Sequence, residues 1–166
     1  MNEPITQEDF LHLLEANRGI IIKICNSYCQ DKTLREDLAK EITYQLWRSG
    51  RAYQPGYKFS TWMYRIALNV AISFYRKEQT RSGLISYTDT IEDASDVGAD
   101  PKEMEANIAQ LQHLINEMNA LDKALMILYL ESKNYAEIAE ILGITETNVA
   151  TKLSRIKARL KKKFSV

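Results

Sequence analysis

The chain has 166 residues, of which 45% are hydrophobic, and its 22 basic and 22 acidic side chains give a formal net charge of zero. This composition excludes a wholly disordered chain and suffices for one ordinary domain or two small helical ones. Because no apolar run is long enough to span a bilayer and the first residues, MNEPITQEDF, lack the pattern of an export signal, we expect no membrane insertion and a cytoplasmic location.

Apolar residues recur at helical spacing through nearly the whole chain, which predicts an all-α protein. In the first half, Thr6 and Thr33 are predicted to cap helices over about 7–29 and 34–49. Ser60 is predicted to cap a third helix. The apolar stripe that should turn this third helix towards the core consists of Trp62, Ile66, Val70 and Phe74.

Residues 48–81 carry basic side chains against a single acid, Glu78, and interleave them with aromatic residues. Aromatic rings stack on unpaired bases while basic side chains follow the phosphate backbone, so this composition is typical of a single-strand binder. For any one of these rings, burial in the core is the competing interpretation. For Tyr53 and Tyr57, which lie in a predicted turn, exposure and burial are both open.

Helical periodicity fades over residues 82–100, which are rich in Ser, Thr, Gly and Asp. This composition predicts a flexible acidic linker. We interpret its acidity as a property of a solvated segment, with the covering of a basic DNA-binding face as the alternative. Asp100, Pro101 and Glu103 predict that a new helix starts directly after the linker.

Residues 101–166 contain the strongest signal in the sequence. Asn134 and Glu137 predict a helix start, Gly143 a left-handed turn, and Thr145 the start of a last helix that runs into a basic tail. This is the pattern of a helix-turn-helix, whose second helix enters the major groove. A plain helical hairpin with a basic face is the competing interpretation. The predicted outward face of the last helix consists of Thr147, Asn148, Thr151, Lys152 and Arg155.

Cys25 and Cys29 lie four residues apart and could share a metal ion with His12 or His113. Since no second pair of Cys or His has ligand spacing, we expect no metal and no cofactor, and we expect both thiols to be reduced and buried. The sequence has no Gly-rich phosphate loop and no nucleophile motif, so we expect no enzymatic activity.

Several segments together resemble a known family. Residues 36–41 (EDLAKE), 46–47 (LW), 59–69 (FSTWMYRIALN) and 76–77 (RK) are similar to the polymerase-binding and promoter-melting region of the extracytoplasmic-function (ECF) sigma factors of the bacterial sigma-70 family. The helix-turn-helix resembles their second conserved region, which reads the upstream promoter element. The order and spacing of these segments match the family over nearly the whole chain.

The resemblance implies roles for individual residues. The polymerase-binding set is Asp37, Leu38, Glu41, Ile42 and Trp47. The set at the downstream, melted promoter element is Tyr57, Lys58, Trp62, Arg65, Asn69 and Arg76. The set that reads the upstream element is Asn148, Thr151, Lys152 and Arg155. Two positions depart from the family pattern: Ala150, where a basic residue is common, and Lys40, where Gln is frequent.

We therefore expect two small helical domains joined by a flexible linker. Residues 1–81 would bind core RNA polymerase and melt the downstream element, residues 82–100 would form the linker, and residues 101–166 would recognise the upstream element. The expected function is that of an RNA polymerase sigma factor with duplex and melted promoter DNA as ligands and an anti-sigma factor as regulator. The alternative is a conventional helix-turn-helix regulator with an N-terminal effector or dimerisation domain, which leaves the basic aromatic block unexplained.

Overall fold

A computed structural model describes residues 3, 5–81 and 102–164, and within these ranges the chain forms α-helices and a short 3-10 helix with no strand. The all-α prediction is confirmed. The linker predicted over 82–100 and the helix start predicted from Asp100 and Pro101 fall outside the described ranges. The helices are α1 (Gln7–Ala16), α2 (Arg18–Tyr28), α3 (Lys32–Ser49), the 3-10 helix (Gly50–Ala52), α4 (Phe59–Arg81), α5 (Lys102–Glu117), α6 (Ala120–Leu130), α7 (Tyr135–Leu142) and α8 (Glu146–Phe164).

The helix predicted over 7–29 is in fact two helices that meet at Asn17. The predicted cap is present, since the Thr6 hydroxyl accepts a hydrogen bond from the Asp9 N–H at 3.1 Å. At the junction, the Asn17 side chain donates to the Leu13 carbonyl at 2.9 Å. Such side-chain bonds compete with the helical ladder, which explains why the chain turns here although the apolar spacing continues.

Two predicted caps are wrong. Helix α3 starts at Lys32 because the Asp31 carboxylate accepts from the backbone N–H groups of Thr33 and Leu34, at 2.7 and 3.1 Å, so Thr33 lies inside the helix. Helix α4 already begins at Phe59, and Ser60 lies in its first turn. The Ser60 hydroxyl instead accepts a hydrogen bond from the Lys133 ammonium at 3.1 Å.

The apolar stripe predicted for α4 is displaced by about one residue. Its predicted members are only half-buried, at the edge of the core. The reason is that α4 packs against α2 and α3 on one side and against α6 and α7 on the other, so its buried face is wider than that of a surface helix. The buried side chains of α4 are Phe59, Thr61, Met63, Tyr64, Ala67, Leu68 and Ala71.

The helix-turn-helix is confirmed in detail. Asn134 and Glu137 form a reciprocal capping box, in which the Asn134 side chain accepts from the Glu137 N–H at 2.8 Å. Gly143 ends α7 with φ 69°, a left-handed conformation that glycine adopts without strain. The Thr145 hydroxyl then caps α8 by accepting from the Asn148 N–H at 3.1 Å.

Helices α1–α4, the N-terminal group, and helices α5–α8, the C-terminal group, pack on each other through buried residues. The Tyr28 hydroxyl donates to the Ala120 carbonyl at 2.6 Å. Beside it the Lys123 ammonium lies 5.3 Å from the ring centre of Tyr28 and 4.4 Å from that of Tyr75. Lys23 also pairs with Glu131 across the boundary. Among the described helices, none is both long and apolar enough to cross a membrane.

Candidate nucleic-acid interface

The outward face of α8 forms one candidate surface. Asn148, Thr151 and Arg155 are exposed, and their spacing of three and four residues aligns them on one stripe. Lys152 lies beside this stripe and is half-buried. Amide, hydroxyl and guanidinium groups in a row can bond base edges or phosphates in a major groove. The structure thus brings the four predicted upstream residues onto one side of one helix.

The opposite face of α8 fixes its orientation. Val149, Leu153 and Ile156 are almost completely buried. Near the other end of the helix, the Arg159 guanidinium donates to the Asp122 carboxylate at 2.8 Å, at the start of α6. In the sequence Arg159 is part of the basic tail, but its ion pair with Asp122 connects α8 to α6. The outward stripe is therefore held at a defined angle to the rest of the helix-turn-helix.

A second candidate surface begins in the segment between the 3-10 helix and α4. Tyr57 is 40% exposed and Lys58 is exposed beside it, whereas Tyr53 is buried. Exposure and burial were both open for the two tyrosines, and the structure gives exposure for Tyr57 and burial for Tyr53. Trp62 is half-buried and packs with Tyr53 and Phe59 at ring-centre distances of 5.2 and 5.4 Å. Trp62 thus supports the surface from beneath.

The same surface continues along α4. Arg65, Asn69 and Arg76 are exposed, and their spacing of four and seven residues keeps them on one stripe of the helix. Together with Tyr57 and Lys58, they combine an exposed ring, an amide and three positive charges. This is the chemistry that holds a single strand by base stacking and phosphate contacts. We call these five residues, with Trp62, the downstream surface.

Helix α3 carries the predicted polymerase-binding set. Asp37 and Glu41 are exposed, and Trp47 is 43% exposed. Leu38 and Ile42, in contrast, are fully buried, so their predicted contact with a partner is corrected to a core role that supports the helix from behind. Their burial follows from position, because they face α2 and α4.

A groove of about 640 Å³ between α3 and α4 joins two predicted surfaces that the sequence treats as separate. Asp37 and Glu41 lie on one wall and Asn69 on the other. The other lining residues were not predicted to belong to a surface, although Gln45 and Ser73 follow Glu41 and Asn69 by four residues, which places them on the same helix faces. The additional lining residues are Gln45, Val70, Ser73, Phe74 and Lys77.

A second, more apolar hollow lies between α1 and α3. Leu11, Tyr44 and Trp47 are large apolar residues at its surface, each between 43% and 56% exposed. The residues that complete the hollow are Leu14, Ala39, Lys40 and Thr43. Exposed apolar residues grouped in this way are typical of protein-binding surfaces.

The two cysteines are buried, as predicted. Burial raises the pKa of the Cys25 thiol to about 11 and also raises the pKa of Cys29. Both thiols are therefore protonated at neutral pH, and a protonated thiol is a poor nucleophile and a poor metal ligand. Within the described ranges, no group of three or more His, Cys, Asp and Glu side chains is arranged to hold a metal ion.

A basic, aromatic surface on one helical group and a helix-turn-helix on the other are, within the described residues, the features expected of a nucleic-acid-binding protein. Sequence profiles of sigma-70 region 2 and sigma-70 region 4 match residues 13–81 and 108–160. The ECF RNA polymerase sigma factor SigW of Bacillus subtilis is 24% identical over an aligned length of 172 residues, and the match covers 95% of this chain and 90% of SigW. The ECF sigma factor SigX of the same organism is 27% identical over 151 residues, covering 87% and 78%. The chain belongs to the ECF group of the sigma-70 family.

Solved structures agree with this fold. CnrH in complex with the cytosolic domain of CnrY superimposes with a TM-score of 0.66 at 16% identity, covering 95% of this chain and 88% of that one. RpoE in complex with the anti-sigma factor NepR from Bartonella quintana gives a TM-score of 0.59 at 20% identity and covers 94% of each chain. The chain is a DNA-binding transcription-initiation factor, and the region 2 match removes the alternative of a conventional helix-turn-helix regulator.

Proposed function

We propose that the chain carries core RNA polymerase to promoters through three surfaces and performs no chemistry itself. The observation that carries the proposal is that a region 2 match and a region 4 match fall on helical groups that each expose a row of polar and basic side chains. In this proposal residues 1–81 act on polymerase and the downstream element, residues 82–100 link the two parts, and residues 101–166 read the upstream element. The site of action is the cytoplasm.

The polymerase-binding role falls to the outward side of α3. Asp37 and Glu41 offer two carboxylates one turn apart, and Trp47 offers an exposed ring near the end of the helix. Aromatic residues dominate the energy of protein interfaces, whereas charges at the rim mainly steer association. Trp47 should therefore contribute the largest share of affinity, with Leu38 and Ile42 keeping the helix in place.

The downstream surface is proposed to hold the melted strand. Tyr57 is the exposed ring on which a base can stack, and Lys58, Arg65 and Arg76 lie along the path of the backbone. Asn69 can pair with a base edge through its amide. For the upstream element, the proposed readers are Asn148, Thr151, Lys152 and Arg155 on α8.

An anti-sigma factor is the proposed regulator. Support comes from the relatives in solved structures, since RpoE is bound there to the anti-sigma factor NepR. On this chain, the apolar hollow between α1 and α3 and the outward side of α3 are the surfaces that such a protein would need to cover in order to block polymerase.

The experiment that tests this assignment separates polymerase binding from promoter melting. Tyr57→Ala should keep normal affinity for core polymerase and form fewer open complexes, because the variant loses only a stacking surface worth about 1 to 3 kcal/mol. Trp47→Ala should instead weaken the binding of the chain to core polymerase, the step that precedes melting. Affinity for labelled core enzyme and permanganate reactivity of promoter thymines measure the two steps. An unchanged melting footprint with Tyr57→Ala would remove Tyr57 from the downstream surface.

A further inference from the structure

The segment that presents Tyr57 is anchored by a buried neighbour. Tyr53 follows the 3-10 helix and is only 6% exposed. Its ring contacts Phe59 edge-on at 5.2 Å and Trp62 at 5.2 Å, and Phe10 packs in turn against Phe59 and Trp62 at 6.0 and 5.8 Å. A ring enclosed in this way has little freedom, so its hydroxyl is a fixed point at the base of the segment.

The Tyr53 hydroxyl bonds to the backbone of the segment itself. It donates a hydrogen bond to the Tyr57 carbonyl at 2.7 Å. The Tyr57 N–H in turn donates to the Gln54 carbonyl at 2.9 Å, which closes a four-residue turn through Pro55 and Gly56. Both backbone groups of Tyr57 are therefore held, one by the turn and one by the Tyr53 hydroxyl, while its side chain is exposed.

A stacking residue on a held backbone binds better than one on a free segment. Ordering a loop residue on binding costs free energy, and a segment that is already ordered avoids this cost. The hydrogen bond between Tyr53 and Tyr57 is partly buried, so solvent does not readily replace it. The same bond fixes the direction in which Tyr57 and the adjacent Lys58 leave the aromatic cluster.

We infer that Tyr53 is a positioning residue for downstream-element recognition: its hydroxyl holds the turn over residues 54–57 in the conformation that presents Tyr57 to the melted strand. The inference rests on the proposed function of the downstream surface. Tyr53 itself is buried and contacts no promoter base in this account. Its effect on promoter selectivity passes through the position of Tyr57.

Tyr53→Phe is the test variant, because it keeps the ring and its packing and removes only the hydroxyl. Tyr64→Phe is the matched control, since Tyr64 is also buried in this group but its hydroxyl has no hydrogen-bond partner among the described residues. Each full-length variant is combined with core RNA polymerase on a promoter located by mapping transcription starts that depend on this chain. Open-complex formation is measured on that promoter and on a copy with a scrambled downstream element.

For Tyr53→Phe we expect discrimination between the intact and the scrambled element to fall about 3- to 10-fold, the range that one such hydrogen bond supports. Polymerase affinity and the discrimination shown by Tyr64→Phe should match those of the unaltered chain. If Tyr53→Phe discriminates normally while Tyr57→Ala is impaired, the positioning role is overturned and the downstream surface stands. If Tyr57→Ala also discriminates normally, the proposed downstream surface itself fails. Equal losses on the two promoters would assign the hydroxyl to folding alone and overturn the inference.

Discussion

Two residues of α8, Leu153 and Arg155, differ completely in environment although they lie only two positions apart. Leu153 is fully buried and Arg155 is exposed. Arg155→Ala should leave the fold intact and weaken upstream-element binding by about 1 to 3 kcal/mol if the guanidinium bonds a base. Leu153→Ala should instead lower the free energy of unfolding by about 2 to 5 kcal/mol through lost burial and a residual cavity.

Holoenzyme binding to duplexes with intact and scrambled upstream elements, together with thermal melts of the free chain, distinguishes the two variants. Arg155→Ala should melt normally and lose affinity for the intact element. An equal loss on both duplexes would make Arg155 a phosphate contact, and no loss on either would remove Arg155 from the DNA-facing stripe.

Periodicity predicts the environment of a residue well where a helix has one buried face. On α8, Asn148, Thr151 and Arg155 of the predicted outward face are exposed, and the apolar residues of the opposite face are buried. On α4 it fails, because helices cover this element from two sides and the buried face widens to include Met63 and Tyr64. Burial that depends on distant elements is not encoded in the local spacing.

At the scale of elements, the turn of the helix-turn-helix depends on the left-handed backbone of Gly143. A Cβ atom at this position would meet nothing within 4 Å, so a substitution there changes only the backbone preference. Gly143→Ala should therefore lower the free energy of unfolding by about 1 to 2 kcal/mol. Denaturant unfolding measures this difference.

Gly19 provides the matched control for Gly143. It lies in the first turn of α2, and a Cβ atom there would also meet nothing within 4 Å. Since alanine has a higher helix propensity than glycine, Gly19→Ala should leave the free energy of unfolding unchanged or raise it by up to about 1 kcal/mol. A loss of the same size in both variants would mean that the turn conformation has no special requirement for glycine.

The starts of the helices show how far the local sequence identifies the capping residues. The capping box at Asn134, the cap at Thr145 and the C-terminal glycine of the helix-turn-helix are read correctly from neighbouring residues, as is the cap at Thr6. Where two cap residues compete, the pattern alone does not select between them: Asp31 caps α3 rather than Thr33. Ser60 is diverted by Lys133, a residue far along the chain.

At the scale of the whole molecule, Lys123 reports on the packing of the two helical groups. Lys123 is 2% exposed and faces Tyr28 at the end of α2, Cys29 directly after it, and Tyr75 of α4. Desolvation lowers the pKa of Lys123 from 10.5 to about 8. The unfolded chain therefore binds more protons than the folded chain between these two values, and the contribution of Lys123 to the free energy of unfolding rises as the pH rises through this window.

Lys123→Met removes this titration and keeps the other titrating groups of the chain, of which only the adjacent Cys29 is coupled to Lys123. The stability of the unaltered chain relative to the variant should increase by about 3 kcal/mol between a pH below 8 and a pH near 10.5. Urea unfolding of both proteins at the two pH values measures the change. If the stability difference between the two proteins is the same at both pH values, Lys123 is solvated and the two helical groups do not pack in this way in solution.

The contact between the two groups is the part of the fold that the sequence did not predict. Tyr28 and Ala120 are 92 residues apart, and neither belongs to a motif that indicates their hydrogen bond. Composition and motifs predict the residues of both proposed DNA-facing surfaces, whereas the groove between α3 and α4 and the anchoring of Tyr57 by Tyr53 depend on how helices and loops come together.

If this chain directs RNA polymerase to promoters, transcription by core polymerase on genomic DNA with and without the purified chain shows it without any assumption about individual residues. We predict new transcription starts that require the chain and share two sequence elements upstream of the start, with the downstream one melted in the open complex. The claim is contradicted if the chain does not bind core polymerase and produces no new starts, even if it binds duplex DNA through its helix-turn-helix.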